Sequence, residues 1–508
     1  MYILGIFGNL FKRYQNVDYF ESDKLFKAFD VEPCINDLER DLIKKWKNIY
    51  IDKAPWITER GNTLQDYLNS NNRQLRSLSM SKSICSEIAR LTALDIDLQV
   101  TGSERAEYIQ SIIDDKLKNK LQNTIELAAA VGYIIFKPSD DDIDVITPFD
   151  LIPIRYDGKT LFECIFIDKI EKDNDIYIRC EYHNYIDSNR YIIRNKAFLS
   201  KDRSYDMQEI PLTALEEWQG IKEEVNLTRC EHPLYTVFKM PTANNIDIHS
   251  NIPMSCFANC IQQLEDLDYA YTNFAHEVYN SNKVMFVSQY VIDNMKRGRT
   301  DLPDFVKGLE FGVGAENTIQ EFNPEILVEK RRDQINLLLS FIGYKCGFSN
   351  GYFQFSEKTG LVTATQIEAE QQQTINTISS IRNELEYSLN ELIECIDYLA
   401  DMYLLAPKGE YETNFYFKDI TSNFEEDRER NIKLVECNIL PKWKYLVDYE
   451  GYTEEEAKEM VRQANDDGGS QRQDDYGNQM KQLQEQYVKG DKVIEAETEE
   501  PDKGINEV

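Results

Sequence analysis

Four histidines, ten cysteines, one acidic run and two basic clusters are the residues with which this chain could do chemistry. His183, His232, His249 and His276 are far apart, and His276-Glu277 lacks the second histidine of an H-E-x-x-H zinc site. Each is read as a hydrogen-bonded structural residue. No G-x-x-x-x-G-K-[ST] phosphate loop, no G-x-G-x-x-G after a strand and no G-x-S-x-G elbow is present. The cysteines (Cys34, Cys85, Cys164, Cys180, Cys230, Cys256, Cys260, Cys346, Cys395 and Cys437) form no C-x-x-C pair. Only Cys256 and Cys260 lie close, on an expected helix, so the thiols read as reduced and buried in a cytoplasmic setting rather than as a metal site. Asp140, Asp141, Asp142 and Asp144 suggest a calcium loop but lack its central Gly and terminal Glu; a solvated turn is the expectation. No catalytic residue, metal or cofactor follows from these residues.

The basic clusters have two readings each. Lys296, Arg297 and Arg299 lie in a turn, either solvated or docking a partner. Lys330, Arg331 and Arg332 lie on a helix, either in i,i+4 pairs or offering phosphates a weak positive ring. Consecutive helical residues point different ways, so at most one or two of the three would line a channel.

The elements around the second cluster organise the chain. Asn323 as N-cap and Pro324 at the first helical position open a helix to Cys346, which Gly347 stops. Gly351 and Gly360 flank Tyr352-Phe353-Gln354-Phe355, a short hairpin or aromatic-tipped loop. Its aromatic residues either form a mobile tip, with Lys358 nearby, or pack into the core. Thr363-Ala-Thr-Gln366 then caps a helix free of Gly and Pro to Tyr403, with Ile378, Ile381, Leu385, Leu389, Leu392 and Ile396 on one face. That length suggests a spine shared between domains or subunits.

Totals bound the rest. With 508 residues, 42% hydrophobic and 11% aromatic, the chain can build two or three domains with a large core. Its 57 basic against 89 acidic residues give a net charge of −32, which disfavours general DNA binding and equally suits solubility or a wall past which DNA slides. Met1–Phe11 is apolar but too short to span a bilayer, and its positive charges follow it rather than precede it. It reads as a small amphipathic helix that docks on protein rather than on a membrane.

In chain order, helices are expected over 36–52, 70–94 and 103–131, with a strand at 96–100 between the last two. From Gly132 the pattern turns to strands: a hairpin of 133–137 and 143–147, then 161–168, 176–183, 190–196 and 234–239. A helix over 256–280 and the helix after Asn323 bracket a small unit with strands at 284–291, 305–310 and 318–322. A strand at 411–418 is followed by helices at 425–437, 441–447 and from Thr453. Residues 466–508 are too polar to build a core and read as disordered and acidic, with one short helix around 479–488.

Pro241-Thr-Ala-Asn-Asn-Ile-Asp247, Asn251-Ile-Pro-Met-Ser-Cys-Phe-Ala-Asn259 and the helix after them resemble the portal proteins of tailed double-stranded DNA bacteriophages. So do Gly360-Leu-Val-Thr-Ala-Thr-Gln-Ile-Glu368 after an aromatic loop and Phe415-Tyr-Phe-Lys-Asp419 followed by Glu425-Glu-Asp-Arg-Glu429. The resemblance runs from about Asn36 to Ala464, and its motifs are specific by their order. It implies an α+β portal-like ring subunit. Residues 1–255 would be an N-terminal wing, 256–283 a first stem helix, 284–322 the clip and 323–346 a second stem helix. Residues 347–362 would be a tunnel loop, 363–423 a long wing helix with a returning strand, 424–465 a helical crown and 466–508 the tail. Function would be that of a nonenzymatic DNA channel and head–tail connector at one capsid vertex, for genome packaging and ejection. Implied partners are copies of itself in a dodecamer, double-stranded DNA, the terminase large subunit, a head–tail adaptor, and the major capsid protein with scaffold. Assembly would take place in the host cytoplasm. Tyr352, Phe353, Gln354 and Lys358 would meet DNA from the tunnel loop, Lys330, Arg331 and Arg332 from the stem, and Lys296, Arg297 and Arg299 would dock partners at the clip. An acidic assembly protein that conducts no DNA is the alternative.

Overall fold

The computed structural model describes residues 23–58, 75–139, 142–157, 160–172, 175–201, 207–280, 284–288, 293, 306–309, 319–322, 328–355, 364–417, 431–435, 437, 440–450, 452–453 and 455–464. The expectations for Met1–Phe11, the Asn323-Pro324 helix start, the cations Lys296, Arg297 and Arg299, Lys358, and the tail from Asp466 lie outside them. The fold is a mixture of helices and strands. Its contacts divide the chain into Met1–Ile420 and Thr421–Val508.

The first unit opens with helices α1 (Asp23–Lys27), α2 (Asp37–Tyr50) and α3 (Met80–Thr92). Asn36 caps α2 in a reciprocal box with Glu39, each side chain bonding the other's backbone N–H at 2.9–3.0 Å. Strand β1 (Asp97–Thr101) follows. The helix expected over 103–131 is instead two, α4 (Glu104–Ile112) and α5 (Leu121–Val131), with a π-helical turn Ile113–Leu117 between them. The cause lies in the spacing. Ile109, Ile113, Leu117, Leu121 and Ile125 recur every four residues, which on a 3.6-residue helix drifts about 40° per step. The wide turn resets the drift, and all five are buried.

Strands β2 (Tyr133–Ser139) and β3 (Asp142–Ile146) form a hairpin. Asp142 and Asp144, expected in a solvated turn, are buried on β3, and Asp142 pairs with Lys120 at 2.6 Å. An antiparallel sheet follows, built from β4 (Leu151–Asp157), β5 (Thr160–Lys172), β6 (Asp175–Asp187), β7 (Arg190–Ser200) and β8 (Met207–Ile210). Strand β9 (Glu224–Leu227) shares the outer edge of β7 with β8. The sequence did not mark β4 as a strand because Pro153 interrupts it; β4 is an edge strand, where a proline is tolerated. Strand β10 (Thr236–Lys239) joins the hairpin as β10-β2-β3.

Helix α6 (Ile261–Asn280) is followed by β11 (Val284–Ser288), β12 (Val306–Leu309) and β13 (Ile319–Phe322), in sheet order β12-β11-β13 with β12 parallel to β11. Helix α7 (Val328–Lys345) returns along α6, and α8 (Ala364–Tyr403) runs for 40 residues. Strand β14 (Glu412–Tyr416) closes the unit by pairing antiparallel with β1. The main core gathers α2–α6, the hairpin, α7 and the inward face of α8. Arg105 holds the end of α8: its guanidinium bonds Asp397, Asp401 and the carbonyls of Asp397, Ala406 and Pro407, all at 2.6–3.1 Å. Arg382 does the same for α3, donating to the carbonyls of Leu91 and Thr92.

In the second unit, residues 431–435 and 455–464 are helical, as is α9 (Lys442–Glu450). Thr453 and Glu456 form the expected capping box, with N–H bonds of 3.1 and 3.4 Å. Among the described residues no helix is long and apolar enough to cross a membrane.

Candidate functional site

The residues expected to meet DNA sit on α7 and the loop after it. Helices α6 and α7 are antiparallel: Arg331 Nε donates to Glu277 at 2.7 Å near one end, and Lys345 Nζ reaches Gln263 and the Asn259 carbonyl at 2.8 and 3.0 Å near the other. Of the basic trio, Arg331 is therefore tied to α6 and only half exposed, while Lys330 and Arg332 are exposed. The trio splays as helix geometry requires.

Gly347 ends α7 at φ +85°, and a Cβ there would stand 2.5 Å from Thr377 Oγ1 of α8. The position needs glycine for its backbone angle and for the close approach. From it the chain folds back along α7. Ser349 N donates to Thr374 Oγ1 at 2.8 Å. Phe348 is buried, with ring centroids 5.0 Å from Tyr352 and 4.8 Å from Phe353. Phe353 lies over Gly343, where a Cβ would be 3.4 Å from its ring. Gln354 donates to Ser340, and Phe355 exchanges backbone bonds with the Asn336 amide at 3.1 and 3.4 Å.

Tyr352 donates its hydroxyl to Glu87 of α3, which Arg90 holds with bonds of 2.6 and 2.8 Å. The Arg90 guanidinium keeps the Glu87 carboxyl below its ordinary value. Burial, and then Glu87, push the Tyr352 hydroxyl up. Tyr352, Phe353 and Gln354 were expected at a mobile tip; they are half-buried, and Tyr352 and Phe353 pack on the main core. Burying three rings outweighs swinging them into water. Phe355, 70% exposed, is the outward aromatic of the described part.

A second polar centre lies between the β10-β2-β3 sheet and the large sheet of β4 to β9. Lys137 of β2 contacts Glu181 of β6 at 2.5 Å, and Arg179 donates to the other oxygen of Glu181 at 3.0 Å. All three are fully buried. Leu234 N–H donates to Tyr191 OH, which faces His183 Nδ1, while Nε2 lies 2.6 Å from Glu181. This chain is satisfied with the proton on Nε2, an assignment made from the network. Burial pulls His183 down to about 4. Burial alone would raise the Glu181 carboxyl, but Lys137, His183 and Arg179 hold it below its ordinary value. Lys137, Arg179, Glu181 and His183 are all wholly buried, and each is held by another member of the network. Sequence reasoning missed it because alternating Ile176, Ile178, Cys180 and Tyr182 against Arg179, Glu181 and His183 is also the pattern of a half-solvated strand.

The thiols hold one further surprise. Cys260 and Cys346 are 3.5 Å apart at sulfur, and Cys85 and Cys256 are 3.8 Å apart. Cys34 and Cys437 are exposed. Among the described residues no group of three or more His, Cys, Asp or Glu side chains is placed to hold a metal. No protein-family model matches the chain, and no curated protein matches its sequence.

Proposed function

We propose that this chain is the subunit of a phage portal: a nonenzymatic ring at one capsid vertex through which double-stranded DNA enters and leaves. The observation that carries the reading is the antiparallel pair α6–α7 around a three-stranded sheet, followed by an aromatic loop and a 40-residue helix. These elements come in the order of the motifs that resemble portal proteins. In this reading the α6–α7 pair is the stem and β12-β11-β13 belongs to the clip, on which the terminase large subunit and then a head–tail adaptor dock. A chain of net charge −32 with exposed Lys330 and Arg332 would touch DNA weakly, without reading bases, and in a salt-sensitive way.

Light scattering and negative-stain imaging of the purified chain, with scaffold or capsid protein added, test the reading. Closed rings with a central hole are expected; monomers under all those conditions overturn it. In rings, Lys330→Gln with Arg332→Gln should change DNA passage and leave assembly intact.

The Arg331–Glu277 pair and the docked Tyr352 favour a second reading, an acidic assembly protein that conducts no DNA. Rings that package normally after residues 349–358 are replaced by a Gly-Ser linker would leave the loop without a role in the channel.

A further inference from the structure

Helix α7 uses three of its sides within the chain. Leu339, Ile342 and Cys346 face the core, Asn336, Ser340 and Gly343 meet the returning loop, and Arg331 and Lys345 reach α6. The fourth side carries Gln334, Leu337, Phe341 and Tyr344, at successive spacings of three, four and three. Leu337 is 55% exposed, Phe341 51% and Tyr344 65%. A 3-4-3 spacing with consecutive apolar positions is the seam by which one helix packs on another. The apolar area left in water is on the order of 300 Å², comparable with the largest patch on an ordinary monomer, which is often functional.

We propose that this stripe is a docking surface covered by a second copy of the chain; the proposal rests on the ring reading and assigns it one interface. Charge selects the occupant. Copies carrying −32 each repel over most of their surface and meet where net negative charge is absent. The stripe itself is uncharged, and the exposed Asp333 and Lys330 beside its Gln334 end are of opposite sign. Next to it, Gln373 of α8 donates to the Tyr344 carbonyl at 3.3 Å. The exposed residues of that part of α8, among them Gln372, Asn376, Ser380 and Asn383, are again uncharged. Without a net positive charge, the stripe suits a protein face better than a phosphate backbone. Alone it falls short of the roughly 1,200 Å² of a stable pairwise interface. The surface on α8 and closure of a ring would supply the rest, so assembly should be concentration-dependent.

The test uses the full chain with Phe341 replaced by a benzophenone amino acid, in a mixture of isotopically light and heavy copies irradiated after assembly. Crosslinked peptides that pair light with heavy chain are expected. Leu337→Glu with Phe341→Glu should keep the melting temperature and raise the concentration needed for assembly about tenfold or more. Should that variant unfold, the crosslinks decide alone. Rings whose crosslinks stay within one copy, or go only to another protein, overturn this interface and leave the ring reading standing. Absence of any assembly by the unaltered chain overturns both.

Discussion

Between the β10-β2-β3 sheet and the larger sheet the chain takes Lys137, Arg179, Glu181 and His183 wholly out of water; along α7 it leaves Leu337, Phe341 and Tyr344 in it. The two regions invert the usual distribution of side chains in opposite directions. Desolvating charge is costly, and the inter-sheet seam offsets that cost only because each group has partners within the same chain. Among the described residues nothing comparable completes the stripe on α7. The seam is finished by folding, the stripe by association, and the two should respond differently to substitution.

Truncating one member of the buried network is the largest effect expected. Lys137→Met leaves Glu181 short of a partner in a dry site and should cost about 3–5 kcal/mol in denaturant unfolding. Combining it with Glu181→Gln should recover part of the loss, because the uncompensated charge is then gone as well. Phe341→Ser on the stripe should stay within about 0.5 kcal/mol in the free chain. A Lys137→Met loss below about 1 kcal/mol would erase the contrast.

Acid should separate the regions next. His183 takes its proton at about 4 in the fold and near the ordinary 6.5 when unfolded. The unfolded chain therefore binds more protons between those values, and stability falls as pH drops from 6.5 to 4, by about 3 kcal/mol. Below 4 this group contributes no further slope. Glu181, held low, adds stability above its unfolded value that is lost as pH falls further. Measured unfolding free energies for the wild type and His183→Gln should diverge in slope over that window, and parallel curves would show that His183 is not coupled to folding. His232 has the opposite sign: Glu394 at 3.0 Å raises it, so its contribution is full below 6.5 and fades as pH rises through the raised value. It is half exposed, so that effect is under about 1 kcal/mol.

How much of this was visible in the sequence depends on whether a local pattern has one physical solution. The helix expected at Thr363–Tyr403 is found as Ala364–Tyr403, and the strands at 133–137, 176–183 and 190–196 are found extended by a few residues. Long periodic runs without Gly or Pro leave little choice. The π turn after Ile112 was implicit in five apolar residues at intervals of four, a period that fits neither a straight α-helix nor a strand. The buried polar face of β6 was not legible, since water and a second sheet satisfy Arg179, Glu181 and His183 equally well on paper. The docking of Tyr352 was not legible either, because its partners Glu87 and Arg90 lie far away in sequence.

That docking gives the smallest effect and the sharpest boundary between the regions, because the loop lies against α7 beside the exposed stripe. In Tyr352→Phe the ring stays against Phe348 and Phe353, and only the hydroxyl bond to Glu87 is lost. Glu87 keeps Arg90, so no buried charge is orphaned, and the loss should be about 1 kcal/mol. The amides of Phe348, Ser349, Tyr352, Gln354 and Phe355 are all bonded, to Gly343, Thr374, Ser349, Gly351 and Asn336 in turn. Hydrogen exchange should find them protected in the free wild-type chain and less so in the variant, while the amides of α7 and α8 keep their rates. Amides 348–355 that exchange like an unstructured peptide already in the wild type would show that the loop is not docked. Protection unchanged in Tyr352→Phe would leave the three packed rings as what holds it, with the hydroxyl adding nothing.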